Sequence, residues 1–314
     1  PVSVKMAMDY FLSDDERTKT IPGYGKINHL PTGELFIDID KEKILKSGIV
    51  PKGYEDKIVD RIDLSFKDKN TLILNDLAII DLLSTNAETG WKRPVYFATT
   101  VDPSFFTETD KYFMRTGMAY EVVPVKLENT PGRYQVNTDK MYDNVMNKFV
   151  WGGIDVNPDI YLDETIRRMC YSYRIMFIDL IHQLIQEGKT DKALKALDYC
   201  MEKIPGDVVP HNYISLQLAM DYYFLKQNEK GKALLEKIAD SAIEYVTWIN
   251  SLDNNKKRSV QRDYYYNERA LAEQVIPMFY RFGDEESGKK YLEKAALAGV
   301  DINRYFKIDT SKTN

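Results

Sequence analysis

Three histidines, two cysteines and one run of carboxylates are the side chains best suited to chemistry in this chain. Their spacing sets them against it. His29, His182 and His211 form no i,i+4 pair and no His-Glu-x-x-His motif, so a zinc hydrolase site is not expected. Cys170 and Cys200 make no Cys-x-x-Cys pair. Both fall on apolar helical stripes and are expected as small buried hydrophobes. The sequence leaves open whether they form a disulfide. No Gly-x-Ser-x-Gly elbow offers a serine nucleophile. Gly23 and Gly25 lack the full phosphate-loop spacing. Asp38 and Asp40 share one face of a predicted strand, with Glu42 just beyond. Paired carboxylates of this kind can act as acid and base on glycosides, although charges at a strand edge most often serve solvation alone. The sequence therefore offers no catalytic residue, no metal ligand set and no cofactor motif.

Two segments must position whatever the chain does. Up to about residue 150 the pattern has period two. Leu35, Ile37 and Ile39 alternate with polar or aromatic neighbours, as do Ile62, Leu64 and Phe66, then Val95 and Phe97, then Val123 and Val125. Pro124 cannot donate to a ladder, which predicts an edge strand there. Asn75 is the expected cap of a helix over 75–83. Strand, helix, strand in that order predicts a right-handed crossover in a small α/β domain. Trp91 and Tyr96 are expected to be structural, covering that helix. Trp151-Gly152-Gly153 to Asn157-Pro158 reads as a linker.

From about residue 157 the period becomes 3.6. Gly188, Asn228 and Gly283 each close a helical pattern, and each is followed five residues on by a small residue, Ala193, Ala233 or Gly288. Glycine permits a tight interhelical turn, and a small residue lets the second helix approach the first. Pro205 ends one second helix. This phase resembles tetratricopeptide repeats, with spacings longer and less regular than their usual period of about 34 residues. Pro277 is expected to kink its helix. The fold class is thus α+β: an α/β domain over 1–150 and an all-α tetratricopeptide-like array over 157–314. That resemblance implies a concave groove lined by the first helices, with His182, Gln186, Ser215, Tyr222, Lys226, Glu273, Tyr280 and Arg281 as candidate binding residues. His182 and Tyr222 are expected at equivalent places. Aromatic rings beside donors suit an extended polypeptide or a glycan.

The net charge of −5 and the lack of a long basic run argue against nucleic acid and anionic lipid as partners. No run of 18 apolar residues spans a bilayer. The 22 tyrosines suit half-buried surfaces and sugar or peptide contacts. The chain starts at Pro1 without Met and reads as excised from a longer protein.

Residues 75–101, NDLAIIDLLSTNAETGWKRPVYFATTV, and 117–125, GMAYEVVPV, resemble the soluble C-terminal region of a family of large bacterial membrane proteins. Their N-terminal halves resemble protein O-mannosyltransferases. The resemblance implies a non-catalytic module on the periplasmic face of the inner membrane, part of a membrane glycosyltransferase-like protein. Its partners would be acceptor polypeptide, glycan, another protein or its own transmembrane half. The alternative is an independent carbohydrate-active enzyme using carboxylates of the α/β domain.

Overall fold

A computed structural model describes residues 1–67, 69, 71–260 and 262–300. The C-terminal stretch of the expected array, 301–314, lies outside the described residues. The chain divides into two compact units, Pro1–Asn147 and Lys148–Asn314. The overall class is α+β, with small sheets in the first unit and helices in the second.

Among the described residues the first unit holds nine strands: β1 (Val2–Ser3), β2 (Thr20–Ile21), β3 (Gly25–Lys26), β4 (Glu34–Asp38), β5 (Arg61–Ser65), β6 (Tyr96–Ala98), β7 (Phe113–Arg115), β8 (Ala119–Val122) and β9 (Gln135–Val136). Its helices are α1 (Val4–Leu12), α2 (Lys41–Ser47), α3 (Leu74–Glu88) and α4 (Thr138–Asp143). One sheet runs β1-β4-β5, with β1 and β4 parallel and β4 and β5 antiparallel. Another runs β6-β8-β7-β9, and β2 and β3 form a separate hairpin. The alternation read in the sequence sets the core: Leu35 and Ile37 of β4 pair with Leu64 and Ile62 of β5, and all four are buried. Ile80 and Leu83 of α3 and Val4 and Ala7 of α1 are buried in the same unit. Under the second sheet, Phe113 is fully buried among rings, stacked on Tyr120 at 5.3 Å and edge-on to Phe106 at 5.0 Å.

Three local expectations change. β5 and β6 belong to different sheets, so α3 is not the crossover of a parallel pair; parallel pairing occurs instead at β1–β4 and β7–β9. The cap of α3 is not Asn75. The Asp76 carboxylate accepts the Ile73 N–H at 3.0 Å and also pairs with the Lys69 ammonium, because an acid in the third helical position can reach back to the free N–H. Pro124 does not mark an edge strand. β8 lies between β6 and β7 and ends at Val122, before the proline interrupts donation.

Trp91 is 2% exposed and sits at φ 56°, its N–H donating to the Asn86 carbonyl at the end of α3. It is a wedge beneath the helix it follows. Tyr96 is half exposed; its hydroxyl donates to Glu121 Oε1 at 3.0 Å.

The second unit contains α5 (Glu164–Gln186), α6 (Thr190–Lys203), α7 (Tyr213–Phe224), α8 (Asn228–Ser251), α9 (Asn254–Ser259), α10 (Arg262–Arg281) and α11 (Glu285–Leu297). Asp163 caps α5 and Asn212 caps α7, each carboxylate or amide oxygen accepting an N–H of the first turn. α5 and α6, α7 and α8, and α10 and α11 form three hairpins. Their turns share one hydrogen-bond pattern. Lys189 N–H donates to Leu184, Gln227 to Tyr222 and Asp284 to Phe279, each at 2.8 Å. One residue earlier, Gly188, Lys226 and Gly283 occupy the left-handed region at φ 72°, 61° and 81°. These are closely matched Schellman turns.

The shared pattern corrects the phase read from the sequence. The second turn falls at Lys226, not Asn228, so its small residue five places on is Gly231, not Ala233. The reason for small residues there is visible. A Cβ on Gly231 would lie 2.6 Å from the Tyr223 ring, and one on Gly288 would lie 2.5 Å from the Tyr280 ring. Tyrosine three residues before the turn needs glycine five residues after it. The first hairpin has Ile185 and Ala193 at those places. α10 continues through Pro277 as one helix.

Polar contacts join successive hairpins. Asp198 of α6 accepts from Tyr222 at 2.9 Å and Lys230 at 2.8 Å. Asp240 of α8 accepts from Tyr291 at 3.0 Å and Lys294 at 2.8 Å. Arg174, fully buried in α5, donates to the carbonyls of Ile204, Val209 and Pro210 and so clamps the link from α6 to α7. Cys170 and Cys200 are buried free thiols; burial pushes Cys200 up to about 12.

Candidate binding cleft

The first helices of the three hairpins line one cavity of about 680 Å³. α5 contributes His182, Ile185 and Gln186; α7 contributes Gln217, Met220, Asp221, Tyr223 and Phe224; α10 and its end contribute Arg281 and Phe282, with Asn228 at the start of α8. The turn pattern explains this convergence. Because each hairpin turns in the same way, equivalent stretches near the C-terminal ends of α5, α7 and α10 meet at one place.

The polar centre is built on Asp221, 4% exposed. Its Oδ1 lies 3.0 Å from His182 Nε2 and accepts the Gln217 amide N–H at 2.9 Å. Its Oδ2 is buried with no hydrogen-bond partner. The Asp221 carboxylate holds the His182 pKa above its usual range, against desolvation, with Asp179 adding a weaker pull in the same direction. His182 therefore presents Nε2–H to Asp221, and Gln217 sits beside that ring nitrogen at 3.2 Å as a second donor to the same oxygen. The rim differs in character. Tyr223 and Phe282 stack at 3.8 Å and 5°, forming a flat apolar wall, and Phe224 is 66% exposed. Arg281 is exposed and makes no ion pair with any described residue.

Of the residues named from the sequence, the fold brings His182, Gln186 and Arg281 into this cavity. The others do not line it. Tyr222 is buried and donates to Asp198, which raises its pKa after burial itself. It is not equivalent to His182: the turn at Lys226 puts Tyr222 four residues before the turn and His182 six before its own. Ser215 is buried between Arg174 and His211. Lys226 is the exposed left-handed residue of the second turn. Glu273 pairs with Arg269 at 3.1 Å one helical turn away. Tyr280 covers Gly288. The sequence reading missed Gln217, Asp221 and Tyr223. The recurrence of tyrosine and glycine at Tyr223–Gly231 and Tyr280–Gly288 was the signal that fixes the phase.

His211 lies apart from the cleft. It is 7% exposed, contacts Ser215 Oγ at 3.1 Å, and desolvation together with the Arg174 charge pulls it down to about 3. It is a neutral core histidine. In the first unit, Asp40 caps α2 by accepting the Lys43 N–H at 3.1 Å, which keeps its carboxyl below the usual range. Glu42 pairs with Lys46 at 3.9 Å on the helix surface. Asp38 ends β4, and it lines with Asp40 and Glu88 a cavity of about 380 Å³. Among the described residues no cluster of His, Cys, Asp or Glu could hold a metal ion.

Residues 1–140 match the family model described as TMEM260-associated domain 2. This points to a TMEM260-like family for the N-terminal unit and is compatible with the soluble region of a membrane protein. No curated protein and no solved structure matches the chain. Among the described residues, no helix is long and apolar enough to cross a membrane.

Proposed function

We propose that this chain is a non-catalytic module of a membrane glycosyltransferase-like protein, carried on the periplasmic face of the inner membrane, and that its helical unit holds an extended polypeptide. The observation that carries the binding role is the cleft itself: three successive first helices, read as tetratricopeptide-like, converge on one open cavity with an apolar wall and a polar floor. The match to a TMEM260-associated domain over 1–140 supports the membrane-protein setting. The resemblance of residues 75–101 and 117–125 to the soluble region of membrane proteins whose N-terminal halves resemble protein O-mannosyltransferases supports the glycosyltransferase link, and the membrane half is then a second partner. An open cleft lined by several amides suits main-chain N–H and C=O groups, and the ring wall suits side chains.

The experiment is equilibrium binding of unfolded acceptor polypeptides and of oligosaccharides to the chain and to Met220→Trp, which places a large ring in the cleft. Polypeptide binding that is lost in Met220→Trp is expected. Binding of oligosaccharides alone, or polypeptide binding untouched by the substitution, would overturn the polypeptide reading.

A further inference from the structure

We propose that the cleft selects acidic polypeptide segments, an Asp or Glu carboxylate docking between His182 and Arg281. The inference rests on the polypeptide reading above and gives it a chemistry.

The charge arrangement carries it. The whole chain is acidic, at net −5, yet the mouth of this cavity is not. Its carboxylate, Asp221, is sunk in the floor: its Oδ2 is buried and its Oδ1 is occupied by His182 and Gln217. An incoming group does not reach it. What faces the opening is the exposed side of the His182 ring and the Arg281 guanidinium. The amide groups of Gln186 and Asn228, both exposed, stand beside them. Asp221 does to His182 what a second-layer carboxylate commonly does to an imidazole: it binds one ring nitrogen and leaves the other for a ligand. With the proton on Nε2 committed to Asp221, protonation at Nδ1 gives an imidazolium donor toward the cavity. Arg281 supplies a fork of donors that matches a carboxylate. Of the charged side chains that line the cavity, the two cations face the opening and the one anion, Asp221, is buried, so the mouth is positive whenever His182 is charged; Asp179 acts on His182 from outside the lining.

The groups that bear on His182 are Asp221 and Gln217 from α7 and Asp179 from its own helix; Arg281, at the end of α10, lines the same cavity. The two aspartates favour the imidazolium, and a bound carboxylate adds to them. Binding is therefore tighter on the acid side of the His182 titration and raises that titration further, by linkage. Phe224 and the Tyr223–Phe282 wall would take an apolar residue beside the acid, so the segment that fits best alternates acidic and apolar residues.

The test uses three labelled peptides of one length, alternating leucine with glutamate, glutamine or lysine. Each is titrated by fluorescence anisotropy into the full chain and into Arg281→Gln and His182→Gln, at 20 and 200 mM salt. The glutamate peptide should bind at least about tenfold tighter than the glutamine peptide. Arg281→Gln should remove most of that ratio, and salt should shrink it. His182→Gln should abolish its growth with falling pH. Arg281 is exposed, so its replacement leaves the fold intact, which circular dichroism would check. Equal binding of glutamate and glutamine peptides would overturn acid selection while leaving the polypeptide cleft standing. Tighter binding of the lysine peptide would show that Asp221 governs the site and would overturn the inference. No binding of any peptide would sink both readings.

Discussion

Glu121 and Asp221 are acidic side chains taken out of water, one in each unit, and they are held in opposite ways. Glu121 is 1% exposed; its Oε1 accepts from the Lys140 ammonium at 2.7 Å and the Tyr96 hydroxyl at 3.0 Å. Asp221 is 4% exposed; its Oδ1 meets His182 and Gln217. In both, the second oxygen is buried without a hydrogen-bond partner. The partner cations decide the difference. Lys140 stays charged across the physiological range, so its pair fastens α4 to β8 and β6 at every ordinary pH. His182 is held above the usual histidine value by Asp221 and lies on a cavity wall, so its pair can respond to a ligand. One bonding pattern thus serves as a fixed pin in the first unit and as a responsive floor in the second.

The largest expected effect lies in the first unit. Trp91→Ala empties a buried site beside α3, and large-to-small core substitutions of this kind cost about 3–5 kcal/mol. Chemical denaturation would read this as a shift in midpoint without a change in slope. An unchanged midpoint would show that the first unit is not built on this wedge, and its contrast with the cleft would fall.

His211 gives the next effect and has a definite sign. Its folded pKa, about 3, is below the usual histidine value. The unfolded chain therefore binds the proton first, and stability is lost as pH falls from about 6.5 toward 3. At pH 5 the loss amounts to about 2 kcal/mol. The His211→Gln variant should lack this part of the acid sensitivity, seen by comparing thermal midpoints at pH 7 and pH 5. Equal sensitivity in both proteins would mean that His211 is not held neutral.

The two carboxylates can be compared directly. Lys140→Met leaves Glu121 buried without its cation. The loss should be about 1–3 kcal/mol, less than for a fully buried pair because Lys140 is part exposed. His182→Gln should cost less, under about 1 kcal/mol near pH 8. The raised His182 pKa adds stability that is complete below the unfolded histidine value and is lost as pH rises through the raised folded one. The gap between the two variants should therefore narrow on acidification. A gap independent of pH would show that both pairs are merely structural.

Much of this architecture follows from pattern. The alternation at Leu35–Ile39 and Ile62–Phe66 marked two strands, and the change to period 3.6 marked the helical unit. Pairing partners were a different matter. Period two says which face of β5 and β6 is buried, not which sheet each joins, so the crossover reading failed. The cleft was half visible. His182, Gln186 and Arg281 lie on it, whereas Tyr222 was placed there through a turn assigned two residues late. Lys226 adopts a left-handed conformation that glycine usually takes, so the glycine-seeking rule passed over it. Asp221 gave no signal because a lone aspartate on a helix face is usually solvated.

The central claim is that the helical unit's cleft, and no surface of the first unit, receives polypeptide. Methyl NMR tests this most directly. On titration with an acidic-apolar peptide, the Ile185 and Met220 methyl resonances should move and saturate together, while those of Ile79 and Leu82, which line an apolar groove of the first unit with β6, should stay in place. Movement of Ile79 and Leu82 with Ile185 and Met220 unmoved would contradict it.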